Sequence, residues 1–333
     1  MFTTLKKTAF VAGAALAIAT GTTSAQAELA GEIKIDGSST VYPITQFVAE
    51  TFHDLNEKVN ISVGFSGTGG GMKKFASGET DISCASRPIK AKEANALKEA
   101  GIEFIEVPVA YDGLSIVVNK NNTWAESMTV DQLQKMFLAS NKGKVKTWKD
   151  VDPSWPAIEI KMYIPGTDSG TFDYFKEVVV GKSEDAIRDD VSESEDDNVL
   201  VTGITGDRGA IGFFGAAYYF ANKDSLRAVP IINKAGKAVG PNPKSIESGD
   251  YNPFSRPLFI YVKKSSLERP EVKAFVDFYL ADAGDFSEEV GYVALPAMVY
   301  DRAKANVKSK KTGTQYTDAS GEKVEGPVTE VYK

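Results

Sequence analysis

Residues 32–55, EIKIDGSSTVYPITQFVAETFHDL, decide the fold. Glu32 to Asp36 reads as a short strand, Gly37-Ser38-Ser39-Thr40 as a loop, and Ile44, Phe47, Val48, Phe52 and Leu55 recur with the 3.6-residue period of an amphipathic helix. The same order returns immediately. A strand over Asn60 to Phe65 runs into Ser66-Gly67-Thr68-Gly69-Gly70-Gly71 and a helix through Met72 and Phe75. A strand at Asp81 to Ala85, a helix at Ala91 to Ala100 and a strand at Glu103 to Val107 follow. This alternation predicts an α/β protein with mixed, mainly parallel sheets flanked by helices.

Further out, the pattern gives a β-branched strand at Leu114 to Asn119, a helix around Val130 to Phe137, a strand at Ile158 to Ile164 and a helix at Thr171 to Val180. A second long apolar strand, Arg256 to Lys263, precedes helices at Pro270 to Ala281 and around Val299 to Val307. Met1 to Ala27 has the layout of a secretory signal: Lys6 and Lys7, an uncharged run from Ala9 to Ala19, and the cleavage-type ending Ala25-Gln26-Ala27. The apolar run is too short to cross a bilayer, so the expected location is the periplasm. What remains exceeds the size at which one core stops growing. The expectation is two lobes, residues 28–115 plus 260–333 and residues 116–259, joined by a two-strand hinge at Leu114–Asn119 and Pro257–Lys263, with a ligand cleft between them. The polar tail from Thr312 to Lys333 is left open between a covering strand and a mobile end.

Composition removes several function classes. Lys+Arg number 38 against Asp+Glu 45, a net charge of -7 that becomes -9 without the two signal lysines, which argues against a nucleic-acid partner. One Cys and one His exclude an internal disulfide and a zinc site of the usual Cys/His kind. Cys84 reads as a small buried hydrophobe and His53 as a structural residue of its helix. The acidic stretch from Ser183 to Asp197 reads as a solvated loop or helix face.

Three loops carry the candidate chemistry: Gly37 to Thr40, Ser66 to Gly71, and Gly166-Thr167-Asp168-Ser169-Gly170-Thr171. Each sets glycines and hydroxyls at the start of a helix, where free N–H groups and the positive dipole end favour an anion. A single such loop is as well explained by ordinary capping; three, shared between both proposed lobes, point to an anion held mainly by neutral donors. Arg87 in Ser86-Arg87-Pro88, at the end of a strand, offers a fork for a tetrahedral oxyanion. Asp112 either orients Arg87, caps a turn, or accepts the proton of a protonated ligand, with Asp168 as the second acceptor candidate.

These runs, with Gly209-Ala210-Ile211-Gly212-Phe213 and Ser255-Arg256-Pro257-Leu258-Phe259, resemble the periplasmic phosphate-binding proteins of high-affinity phosphate ABC transporters, over nearly the whole chain after the signal. The resemblance implies a type 2 periplasmic-binding-protein fold, no catalysis, no cofactor, a monomer, and delivery of inorganic phosphate to inner-membrane permease subunits. It implies Ser39, Thr40 and Val41 as first-loop donors, Thr68 from the second loop, and Ser169, Gly170 and Thr171 closing from the other lobe; Ser86 and Arg87 join the candidates from their own place after the strand Asp81 to Ala85. One branch of that family has Asp where this chain has Ser86, and Arg where it has Pro165, so the fixed charges are expected in new places. On this reading Asp112→Asn weakens phosphate binding and improves relative sulfate binding. Another tetrahedral oxyanion (sulfate, arsenate or a phosphonate) is the alternative ligand. A secreted phosphatase using Ser39 or Ser169 is the alternative class, although the chain lacks a nucleophile elbow and a metal-ligand cluster.

Overall fold

The computed structural model describes residues 28–333 apart from 168, 182, 195, 319–321, 323 and 325. The signal segment and Asp168 therefore lie outside the described residues. The quoted stretch forms β1 (Gly31–Gly37) and α1 (Tyr42–Leu55), whose stripe Ile44, Val48, Ala49 and Phe52 is buried. Then come β2 (Val59–Val63), α2 (Gly67–Ala76), β3 (Ile82–Ala85), α3 (Ala91–Glu99) and β4 (Phe104–Asn119). The middle of the chain supplies α4 (Val130–Phe137), α5 (Trp148–Val151), β5 (Lys161–Pro165), α6 (Gly170–Val179), β6 (Ser192–Ser194), α7 (Asp197–Gly206), β7 (Ala210–Gly215) and α8 (Ala216–Asn222). Three short strands, β8 (Leu226–Ala228), β9 (Ile231–Ile232) and β10 (Ala238–Val239), and α9 (Pro243–Glu247) precede β11 (Ser255–Lys263). The chain closes with α10 (Pro270–Ala281), α11 (Ala283–Glu289), α12 (Ala297–Lys308) and α13 (Val328–Val331).

The strands run β2-β1-β3-β11-β4-β7-β5-β6, with β8 also on β4. β1, β2 and β3 are mutually parallel, as are β5, β6 and β7; β4 and β11 run antiparallel to their neighbours. β4 is one fully buried strand of 16 residues. Its first part, Phe104 to Gly113, pairs with β11, and its second, Leu114 to Asn119, pairs with β7 and β8. The sheet changes partners between Gly113 and Leu114.

Two expectations differ from this arrangement. The separate strands read at Glu103–Val107 and Leu114–Asn119 are continuous, because Pro108 falls at a register shift where the ladder passes from Leu258–Ala110 to Phe259–Pro108, a bulge that tolerates a missing donor. The return crossing read within Pro257–Lys263 lies earlier, since all of β11 pairs with the first part of β4. The amide of Leu114 bonds the carbonyl of Phe254 at 2.9 Å, so residues 113–114, where β4 changes partners, and 254–255, where β11 begins, sit side by side. The tail packs back on the first half: Thr314 Oγ1 and the amide of Gln315 donate to buried Glu106 at 2.6 and 3.0 Å, and Tyr316 is buried against Phe259. Cys84 is buried and burial pushes its thiol up to about 12, which makes it an inert core side chain.

Candidate anion-binding site

β1, β2 and β3 all end on the same side of the sheet, and their C-terminal loops lie together where ligands bind in open α/β sheets. The first loop hugs β3: Ser38 N–H donates to the carbonyl of Cys84 at 3.0 Å. Such an approach requires Gly37, whose φ is +149° and where an added Cβ would stand 2.1 Å from that oxygen. The Ser38 carbonyl accepts from Val41 and Tyr42, which closes the turn and opens α1. Val41 N–H, expected to face a ligand, is therefore committed to this turn. Among the described residues, the N–H groups of Ser39 and Thr40 have no protein acceptor, leaving them for an anion.

The second loop is fixed by Asp36, at the end of β1. Its carboxylate accepts from the amide and hydroxyl of Ser66 and from Lys74 at 2.6 Å. Burial works to raise the Asp36 pKa, but Lys74 and Ser66 outweigh it and hold the carboxyl below its ordinary value. Thr68 Oγ1 accepts the amide of Ser86 at 3.2 Å and lies 3.3 Å from its hydroxyl, tying the second loop to the end of β3. From the other half, β5 leads to Ser169, whose hydroxyl caps α6 by accepting from Thr171 N–H at 3.2 Å. Gly170 packs on the first loop so closely that an added Cβ would stand 3.0 Å from Thr40 Cα.

The cavity these groups form holds Arg87 and a second cation, Arg256. Arg256 Nε donates to Asp112 Oδ2 at 3.2 Å, Nη2 to Thr40 Oγ1 at 3.1 Å and Nη1 to Glu177 Oε2 at 2.6 Å. The guanidinium carbon lies 3.7 Å from the centre of the Tyr174 ring. Arg256 and Asp112 are direct partners in the β11–β4 ladder, so strand register creates the pair. Burial alone would lower the Arg256 pKa, but Asp112, Tyr174 and Glu177 more than compensate and it remains a cation. Burial pushes the Asp112 carboxyl up, with Arg256 pulling it back. Tyr292 steadies the first loop by donating to the Thr40 carbonyl at 2.6 Å.

Arg87 points its fork at Glu93, with bonds of 2.8 and 2.7 Å. Of the three roles left open for Asp112, orienting Arg87 is not found, because the carboxylate meets Arg256 across the strand ladder. Ser39, Thr40, Thr68, Ser86, Arg87 and Arg256 line one cavity of about 240 Å³, together with Asp173 and Glu177 of α6. That is room for one small polyatomic anion and a few waters. Asp112 and Thr171 instead line a neighbouring cavity of about 330 Å³, behind Arg256. A larger cavity of about 540 Å³ adjoins the site through Ser86, Arg87, Glu177 and Arg256. His53 is elsewhere, its Nδ1 2.8 Å from the Val59 carbonyl, so it supplies no base to Ser39 or Ser169.

Sequence reading missed Arg256, Glu177, Asp173 and Tyr292 as site residues. A signal was present for the first: Asp112 and Arg256 are opposite charges within two largely apolar strands, which also carry Glu106 and Lys263.

Known proteins are similar to this chain in sequence and fold. Residues 22–283 match the family described as a PBP superfamily domain. Protein SphX of Synechococcus elongatus is 47% identical over 288 residues, covering 86% of this chain and 85% of its own length. The phosphate-binding protein PstS of Staphylococcus saprophyticus is 42% identical over 278 residues, covering 83% and 84%. Among solved structures, a possible phosphate binding protein from Planctomyces limnophilus is 44% identical with a TM-score of 0.81, over 85% of this chain and 99% of that one. The loops, the strand order and these relatives together place the chain in the PBP superfamily, in the family that contains the phosphate-binding protein PstS.

Proposed function

We propose that the protein captures inorganic phosphate in the cleft between the two halves of its sheet and hands it to the permease subunits of an ABC transporter in the inner membrane. The observation that carries this reading is the convergence of the Ser39–Thr40 amides, the Thr68 and Ser86 hydroxyls and buried Arg256 on one 240 Å³ cavity. Neutral donors and one fixed cation suit a small anion inside an acidic chain, because aligned amides act at contact while net charge is screened over about 8 Å. The signal-like start of the chain supports a periplasmic location, and the two adjacent crossings at residues 113–114 and 254–255 support a hinge between lobes. Binding without chemistry is the role: Ser169 is engaged in capping its helix, and the His53 ring bonds the Val59 carbonyl away from both serines.

Equilibrium dialysis against labelled phosphate, competed by sulfate and arsenate, tests the reading. One phosphate bound per chain, with arsenate competing and sulfate competing weakly, is expected. Tighter binding of sulfate, or turnover of a chromogenic phosphoester, would overturn it.

A further inference from the structure

The cavity that offers donors to an anion also contains two carboxylates. Asp173 and Glu177 stand four residues apart, on one face of α6. Asp173 Oδ2 accepts from the Ser39 hydroxyl at 3.0 Å, and Glu177 Oε2 lies 2.6 Å from Arg256 Nη1. With Nε on Asp112 and Nη2 on Thr40, Glu177 occupies the remaining terminal nitrogen of the guanidinium. The two carboxylates on Arg256 differ sharply in freedom. The Asp112 side chain is 6% exposed and cannot withdraw, whereas that of Glu177 is 62% exposed and can swing into water at little cost.

We propose that Glu177 is a built-in competitor for the ligand, holding Arg256 Nη1 until a tetrahedral oxyanion displaces it. The inference rests on the reading of the cleft as a phosphate site. While Glu177 is in place Arg256 Nη1 is closed to anions, so the apparent affinity is the intrinsic affinity reduced by the fraction of time the carboxylate is away. The same contact sets specificity. A monovalent carboxylate or a halide gains nothing over Glu177 on the guanidinium, while a dianion brings a second charge to the same donors and wins the exchange. Glu177 thereby screens out the singly charged anions that abound in solution.

The test is titration calorimetry and stopped-flow binding of phosphate to the wild-type protein and to Glu177→Gln, with acetate as a second probe. The variant is expected to bind phosphate about tenfold more tightly. The gain should appear in the association rate, because the free protein no longer spends time blocked, and acetate should now compete measurably. Glu177→Ala, which cannot form a new amide hydrogen bond, should move in the same direction. An unchanged or weaker phosphate affinity, or a gain confined to the dissociation rate, would overturn the inference while phosphate binding by the wild type leaves the function standing. If neither wild type nor variants bind phosphate, the functional reading fails and the inference with it.

Discussion

Arg87 and Arg256 reach the same cavity and are held in opposite ways. Arg87 is clamped by Glu93, six residues on, within one loop-and-helix unit, and both side chains keep roughly a fifth to a quarter of their exposure. Arg256 contacts β4 through Asp112, the first loop through Thr40 and α6 through Glu177, and is only 12% exposed. A charge tied locally can be lost with local consequences. One that joins three elements at the seam of the sheet serves folding and, on the proposed function, ligand capture as well.

The contrast breaks most visibly at Arg256. Arg256→Leu leaves Asp112 buried without its partner, which costs about 3–5 kcal/mol of stability, and phosphate binding should disappear. Thermal melts together with dialysis check both. Arg256→Leu with Asp112→Leu should recover much of the melting temperature without recovering binding, because a buried pair replaced by apolar side chains is often neutral. Loss of stability without loss of binding would show that Arg256 is structural only.

Gly170→Val should come next. Its side chain would press α6 away from Thr40, where an added Cβ already meets Cα at 3.0 Å, and overpacking of that kind costs roughly 1–3 kcal/mol, or about 10–100-fold in affinity. Calorimetry on the folded variant measures it. Arg87→Ala should do much less, on the order of 1 kcal/mol or below in stability, since its pair with Glu93 is partly solvated. A loss of phosphate affinity as large as that of Arg256→Leu would reverse the ranking of the two arginines.

The smallest expected effect is acid sensitivity at the second loop. Asp36 is held below its ordinary pKa, with burial opposing and Lys74 and Ser66 prevailing. A carboxyl depressed in the folded state stabilises the fold above its unfolded value, about pH 4, and this contribution is lost as the pH falls through the folded pKa. Melting temperatures of wild type and Asp36→Asn should therefore converge toward low pH and separate near neutrality; a constant gap would contradict this.

Much of the architecture is legible in local pattern. α4 and α10 fall where hydrophobic periodicity puts them, and the strand, Gly/Ser/Thr loop, helix order of residues 32–76 gives the parallel core and two of the anion loops. β4 is not legible, because Pro108, Asp112 and Gly113 each look like a strand breaker when read alone. A bulge accommodates the proline, and Asp112 is tolerated because Arg256 lies opposite. For the same reason Arg256 escaped as a cavity residue: its contact with Asp112 joins residues 144 positions apart and exists only once two strands are in register. Arg87 attracted the reading because it follows a motif; its partner Glu93 is a helix-start residue whose reach back to the loop is a matter of side-chain geometry. Asp173 and Glu177, four residues apart on α6, carry no motif that marks them in sequence. Only the approach of Gly170 to Thr40 turns their face of the helix toward the cleft.

A crystal structure of the protein with phosphate tests the central claim most directly. Phosphate oxygens should lie within hydrogen-bond distance of Arg256 and of the Ser39 and Thr40 amides, inside the cavity shared with Thr68 and Ser86. Phosphate bound instead at Arg87 with Arg256 still fully engaged by Asp112, Thr40 and Glu177 would contradict the account.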